Sequence, residues 1–199
     1  MILEILKFPD ARLREKSEPV TEFGPELQQL AADMFETMYA EKGIGLAAAQ
    51  VGVLKQMLVI DCRPKDNMGK TLPEEMTELE RVIPQPLVII NPRIIKKEGK
   101  TTYDEGCLSV PTFYDTVERA LKVELEYEDL KGQTQRLTTD GLLAIVIQHE
   151  MDHLEGTLFI DRISFIKSNK IKNQIKKHGY PEKKSEELDL EDDKILTRS

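Results

Sequence analysis

The residues best suited to chemistry lie at Gln148-His149-Glu150-Met151-Asp152-His153, which contains His-Glu-x-x-His. Positions four apart on a helix share a face, so His149 and His153 point the same way, about one turn apart. Two imidazoles so placed can hold one metal ion, with Glu150 beside them as a general base. On an exposed helix such a pair is usually just solvated. Here the run Leu142-Leu143-Ala144-Ile145-Val146-Ile147 precedes it, apolar on every side, so the helix belongs inside a core. The chain has three histidines, and two of them are in this motif.

A catalytic site of this kind needs a third protein ligand and an open position. Downstream, His178 ends a basic stretch and reads as a helix C-terminal residue placed by the dipole. Glu155 is too close on the same turn, and Glu182, Glu186 and Glu187 sit in a polar tail. The third ligand is therefore sought upstream, where Glu105-Gly106-Cys107-Leu108-Ser109 offers a thiolate. A thiolate binds zinc or ferrous iron strongly, although a lone cysteine such as Cys107 is more often a small buried hydrophobe. Cys62 follows the apolar run Met57-Leu58-Val59-Ile60 and reads as a core thiol at a strand end. Two cysteines in a long chain do not suggest a disulfide framework. A further signature is Gly43-Ile44-Gly45-Leu46-Ala47-Ala48-Ala49-Gln50. Its glycines allow a tight turn or close approach to a ligand, and it lacks the lysine and spacing of a phosphate loop.

These three segments, in this order, resemble the peptide deformylases, over about residues 1–165. The resemblance implies a metal-dependent hydrolase that removes the formyl group from the N-terminal formyl-methionine of newly made polypeptides and releases formate. It carries over Cys107, His149 and His153 as ligands of one metal ion and Glu150 as general base. Gln50 and the Leu108 main-chain amide become the donors to the oxyanion. The implied metal is Fe²⁺, one per chain, with Zn²⁺, Ni²⁺ or Co²⁺ able to occupy the site. An apolar slot for the methionine side chain is expected from Leu142, Ile145 and Val146, which precede His149 on or near its face, closed by Ile44 and Tyr103. Gly45, Glu105 and Gly106 complete the expected substrate-binding set, with backbone of the 43–45 loop pairing to the peptide as an added strand. Arg119 is expected to pair with Glu105 or Asp152. One departure stands out: after Val110-Pro111, where many relatives have glycine or glutamate and then arginine, this chain has Thr112-Phe113-Tyr114-Asp115. That makes the rim more aromatic and less basic. A zincin-like endopeptidase is the rival enzyme reading, but it needs a downstream ligand. A non-catalytic metal-binding protein is the other rival, and predicts no effect from changing Glu150.

The elements around these residues follow from periodicity. The 199 residues are 40% hydrophobic and 32% charged, enough for one domain with a proper core. The net charge of −8 argues against a generic nucleic-acid binder, and DNA is not expected as a partner. No run is apolar for long enough to span a membrane, and no secretory signal is evident, so the expected compartment is the cytoplasm. Residues 1–22 read as a short apolar strand or turn followed by a polar loop. Pro25 opens an amphipathic helix to about Glu41, with Leu27, Leu30, Met34 and Met38 on its core face. A strand is expected near 56–61, then an acidic, exposed insertion over 63–86. Leu87-Val88-Ile89-Ile90 reads as a buried strand that stops at Asn91-Pro92, with a second strand over Arg93–Lys96. Leu121, Val123, Leu125 and Tyr127 alternate with polar residues as a half-buried strand, with a return strand at 133–138. Thr138, Thr139 or Asp140 could cap the metal helix. The fold expected is α+β, with mostly antiparallel strands around a central metal-binding helix, an N-terminal helix and a C-terminal helix. The domain limits expected are 1–165 for the catalytic domain, 166–178 for a basic helix and 179–199 for a disordered acidic tail. The stretch from Arg162 to Lys177 has six basic and no acidic residues. Its apolar side is expected from Phe165, Ile166, Ile171 and Ile175, packed on the domain with the lysines in water. The resemblance adds docking on the ribosome near the exit tunnel as a role for it.

Overall fold

A computed structural model of the chain describes residues 1–180. The expected tail therefore falls, from 181 onward, outside the described residues. The framework is a five-stranded antiparallel sheet with a helix on each face. In chain order, helix α1 spans Pro25–Ala40, followed by strands β1 (Gly45–Ala47) and β2 (Met57–Ile60). A short helix α2 (Glu78–Arg81) leads to strand β3 (Leu87–Glu98), then β4 (Thr101–Cys107) and β5 (Val110–Arg119). Strands β6 (Lys122–Glu128) and β7 (Thr134–Thr139) precede helices α3 (Gly141–Leu154) and α4 (Phe165–His178). The large sheet has the order β1-β2-β3-β6-β7, and β4 and β5 form a separate two-stranded sheet.

Strand β2 shows why its sequence is apolar without alternation. Leu58 and Ile60 pack with Leu143, Val146 and Ile147 of α3. Met57 and Val59 turn to the other face and pack with Leu27, Met34 and Met38 of α1. A strand covered on both faces needs an apolar residue at every position. Helix α3 is correspondingly buried along nearly its whole length, from Leu143 to Glu150 and again at His153 and Leu154. The methionines of α1 are core packing, as their helical spacing implied.

Three expectations are corrected. Strand β3 does not stop at Asn91-Pro92; it runs through them as one strand to Glu98. Asn91 adopts φ 49°, and the register with β6 shifts between Ile90 and Arg93. Such a bulge frees the position whose N–H proline lacks. The Asn91 amide is tied down by Val20, whose N–H donates to Oδ1 at 2.8 Å while Nδ2 donates to the Val20 carbonyl at 2.9 Å.

The cap of α3 is the second correction. Asp140 holds the N-cap position but makes no capping bond to the helix. Instead the Leu143 N–H donates to Glu80 Oε1 at 2.9 Å, reaching α2 in the segment expected to be a solvated insertion. Glu80 Oε2 accepts from the Thr77 N–H at 2.8 Å, and the Glu80 N–H donates to Thr77 Oγ1 at 3.1 Å. Glu80 is thus buried, at 5% exposure, against the positive end of α3. Gly141 (φ 61°) makes room for it, since a Cβ there would lie 2.8 Å from the Glu80 carboxyl.

The third correction concerns α4. Ile171 and Ile175 are buried with Val110, Val117 and Phe159, but Phe165 and Ile166 are exposed. Lys167 pairs with Asp115 at 2.7 Å and Lys172 with Asp161 at 2.8 Å, so those two lysines are not free in water. Arg162, just before the helix, pairs with Asp152. Beyond α4, Tyr180 OH donates to the Phe8 carbonyl at 2.6 Å.

Candidate metal centre

The β4–β5 hairpin and helix α3 meet at Cys107. Helix α3 presents His149 and His153 one turn apart, with ring centroids 5.1 Å from each other. The hairpin of β4 and β5 brings Cys107 to its own tip, where Cys107 pairs with Val110. Cys107 Sγ lies 3.3 Å from His153 Nε2. One donor atom from each of Cys107, His149 and His153 lies within 4.8 Å of the others. The upstream thiol, and not His178 at the end of α4, is the third member of the cluster.

The surroundings of these atoms fit a metal ion. His149 Nδ1 is 2.7 Å from Glu105 Oε2, which leaves Nε2 as its ligand atom. Glu105 in turn accepts from Arg119 Nε at 2.7 Å and Nη2 at 2.8 Å, and Arg119 Nη1 donates to Asp152 Oδ2 at 2.6 Å. Arg119 therefore takes both of its expected partners. Glu105 lines the cavity, but its carboxylate is occupied in orienting His149. Burial opposes charging His149, but Cys107 and Glu105 beside it hold its pKa well above the ordinary value. His153 is driven well below it by burial and by the charges of His149 and Arg119. Buried polar atoms without a partner are expensive, and among the described residues Glu150 Oε2 and His153 Nδ1 are two such atoms. A soft thiolate, two imidazoles and an adjacent buried carboxylate are a donor set for a borderline transition metal.

Gln50 is held from three sides. Its Oε1 accepts from the Ala47 N–H at 2.8 Å. Its Nε2 donates to Ser109 Oγ at 3.1 Å and lies 3.6 Å from Cys107 Sγ. The side-chain amide thus faces the thiol and not solvent, and Gln50 is 1% exposed. Gly45 on β1 is required by close approach: a Cβ there would lie 2.5 Å from Glu150 Oε1 and 2.8 Å from Val146 Cγ1. Glu150 is 4% exposed, and burial pushes its pKa up to about 7.

A cavity of about 810 Å³ opens onto this cluster. Ile44, Gly45, Gln50, Tyr103, Glu105, Gly106, Leu108, Leu142, Ile145 and Val146 all line it, together with Cys107, His149 and Glu150. Sequence reasoning missed the segment Leu3–Lys7, which lines the same cavity. That segment belongs to no strand or helix; the Leu6 N–H donates to the Gln50 carbonyl and the Phe8 N–H to the Ser109 carbonyl, each at 2.8 Å. The apolar run Ile2-Leu3 and Ile5-Leu6 was its only signal.

An α+β fold with a Cys-His-His cluster that could hold a metal ion, beside a buried carboxylate that lines a cavity, is the arrangement a metal-dependent hydrolase needs. A family model described as polypeptide deformylase matches residues 2–169. The peptide deformylase of Neisseria meningitidis is 47% identical over 176 residues, covering 88% of this chain and 95% of that protein. The crystal structure of a Legionella pneumophila peptide deformylase is 40% identical, with a TM-score of 0.75, covering 89% of this chain and 95% of the other. That of the Ehrlichia chaffeensis enzyme is 38% identical, with a TM-score of 0.78, covering 92% and 99%. The chain belongs to the polypeptide deformylase family.

Proposed function

We propose that Cys107, His149 and His153 hold one metal ion, and that the deformylase reaction takes place beside it. The activity is hydrolysis of the formyl amide at the N-terminal formyl-methionine of newly made polypeptides, with formate as one product. The observation that carries the assignment is the approach of three donor atoms to within 4.8 Å, two of them on Cys107 and His149, which line the cavity. We read the ion as Fe²⁺, with Zn²⁺, Ni²⁺ or Co²⁺ able to substitute, because a thiolate with two imidazoles suits all four. When bound, the metal is a Lewis acid that lowers the pKa of water in its open position toward neutrality.

Glu150 handles the proton. With its pKa lifted to about 7, the carboxylate can accept a proton from the attacking water and return it to the leaving amine. Gln50 Nε2 and the Leu108 N–H are the donors we assign to the oxyanion, and removing one such donor typically costs about 2.7–4 kcal/mol of barrier. Ile44, Tyr103, Leu142, Ile145 and Val146 enclose the methionine side chain, and Gly45 and Gly106, whose missing side chains leave room for Glu150 and the Tyr114 ring, line the cavity where the peptide backbone passes. Glu105 holds His149. The rest of the chain divides as residues 1–165 for catalysis and 166–178 for a basic helix. Lys170, Lys176 and Lys177 make no ion pair among the described residues and are the phosphate contacts we assign to ribosome docking. We assign the protein to the cytoplasm, where bacterial formyl-methionyl polypeptides are made; separately, no described helix is long and apolar enough to cross a membrane.

Formate release tests the assignment. Formylated Met-Ala-Ser is expected to yield formate, unformylated Met-Ala-Ser is expected to remain whole, and Glu150→Ala is expected to keep its metal but lose the activity. Cleavage of the unformylated peptide would point to an endopeptidase instead. Undiminished formate release by Glu150→Ala would defeat the mechanism.

A further inference from the structure

The ion pairs beside the Cys-His-His cluster do not end at Asp152. Arg162, in the turn that leads into α4, donates from Nε to Asp152 Oδ2 and from Nη2 to Asp152 Oδ1, the latter at 2.5 Å. Asp152 Oδ2 also accepts from Arg119 Nη1 at 2.6 Å. Arg119 holds Glu105 with its Nε and Nη2, and Glu105 meets His149 Nδ1. Charge thus alternates in sign along one connected series, from Arg162 at the surface to a proposed metal ligand. Arg119 and Glu105 are each 3% exposed, whereas Arg162 is 42% exposed.

Arg119 divides its donors between two carboxylates, and Arg162 decides how that division falls. Among the described residues, Asp152 Oδ1 accepts from Arg162 alone. Without Arg162, Asp152 keeps Arg119 as its one cationic partner. A partly buried charge that loses a partner is costly and draws on those that remain. A guanidinium drawn toward Asp152 is drawn away from Glu105, whose carboxylate sets the ring of His149.

Lys167 makes a useful contrast. It ties the first turn of α4 to Asp115 on β5 at 2.7 Å. The further contact of Asp115 is the Thr116 N–H at 2.8 Å, so this pair anchors the same segment without joining the series. Arg162 differs also from Lys170, Lys176 and Lys177, although in the sequence all of them belong to one basic stretch. We infer that Arg162 is a positioning residue for the metal centre, holding Glu105 against His149 through Asp152 and Arg119. This rests on the ligand assignment made above.

The test is the Co²⁺ affinity of the purified full-length chain, from competition with a chelator, with the visible absorption of the bound ion reporting its geometry. Arg162→Gln is expected to weaken affinity about fivefold and shift the absorption, a smaller loss than the 10–100-fold typical of a group touching the ligand. Arg162→Lys returns the charge without the fork and is expected to come within about twofold of the wild type. In a Glu105→Gln background, where the series is already cut, Arg162→Gln is expected to add less than about twofold. Lys167→Gln is expected to leave affinity and absorption unchanged. Arg162 lies at the surface, so its replacement is not expected to disturb folding, which circular dichroism checks. Unchanged affinity in Arg162→Gln, an undiminished loss in the Glu105→Gln background, or an equal loss from Lys167→Gln each overturns the inference and leaves the ligand assignment standing. A wild type that binds no Co²⁺ overturns both.

Discussion

Glu105, expected among the substrate-binding residues, lines the cavity and also makes contacts that only the geometry reveals. Its carboxylate lies 2.7 Å from His149 Nδ1 and binds Arg119 through two further hydrogen bonds. It fixes which ring nitrogen of His149 faces the proposed metal. Glu105→Gln keeps the shape but loses the charge that His149 and Arg119 share. Groups that orient a ligand typically cost 10–100-fold in metal affinity when changed, and a loss of about that size is expected in a chelator competition assay. Unaltered affinity would mean the contact is only structural. His149, Glu150 and His153 could be read from a spacing of one and four positions, because helix geometry turns that spacing directly into proximity. The Glu105–His149 contact could not, since it spans 44 positions and depends on how the hairpin meets the helix.

Among the elements, those with clean periodicity matched expectation. Helix α1, strand β2, strand β6 and the metal helix α3 fall within a few residues of their predicted limits. The misreadings came where one element leans on another. Strand β3 crosses Pro92 because a bulge at Asn91, tied to Val20, removes the need for the missing donor. The segment 63–86 looked like a solvated acidic run, yet Glu80 reaches the first turn of α3. The pattern Thr77-x-x-Glu80 was a readable capping box for its own short helix; that the same carboxylate also caps α3 was not readable. Glu80→Ala leaves the Leu143 and Thr77 N–H groups short of an acceptor, which costs about 1–3 kcal/mol. For a protein of this size that is a fall in Tm of roughly 2–12 °C. Glu80→Gln retains an acceptor and loses mainly the charge at the helix end, about 0.3–1 kcal/mol. Calorimetry on the two variants checks the order, and equal Tm values for Glu80→Ala and the wild type would remove the cap from the account.

For the molecule as a whole, the sheet fixes the distances that matter. With α1 on one face and α3 on the other, Gly45 at the end of β1 is brought against Glu150, and Gln50 against Ser109 and Cys107. The core is continuous from the metal helix through β2, and α4 closes the far side through Ile171 and Ile175. The resemblance named the distant residues that share the site, while the strand order β1-β2-β3-β6-β7 was read neither from it nor from periodicity. Composition and periodicity alone stopped at an α+β domain, since neither encodes which distant segments touch. Everything proposed about catalysis depends on Cys107, His149 and His153 sharing one ion. The direct test is metal content, measured per chain after anaerobic purification of the wild type and of Cys107→Ala, His149→Ala and His153→Ala. About one ion per chain in the wild type and a large loss in each variant is the expected result. Full metal content in folded Cys107→Ala would contradict it.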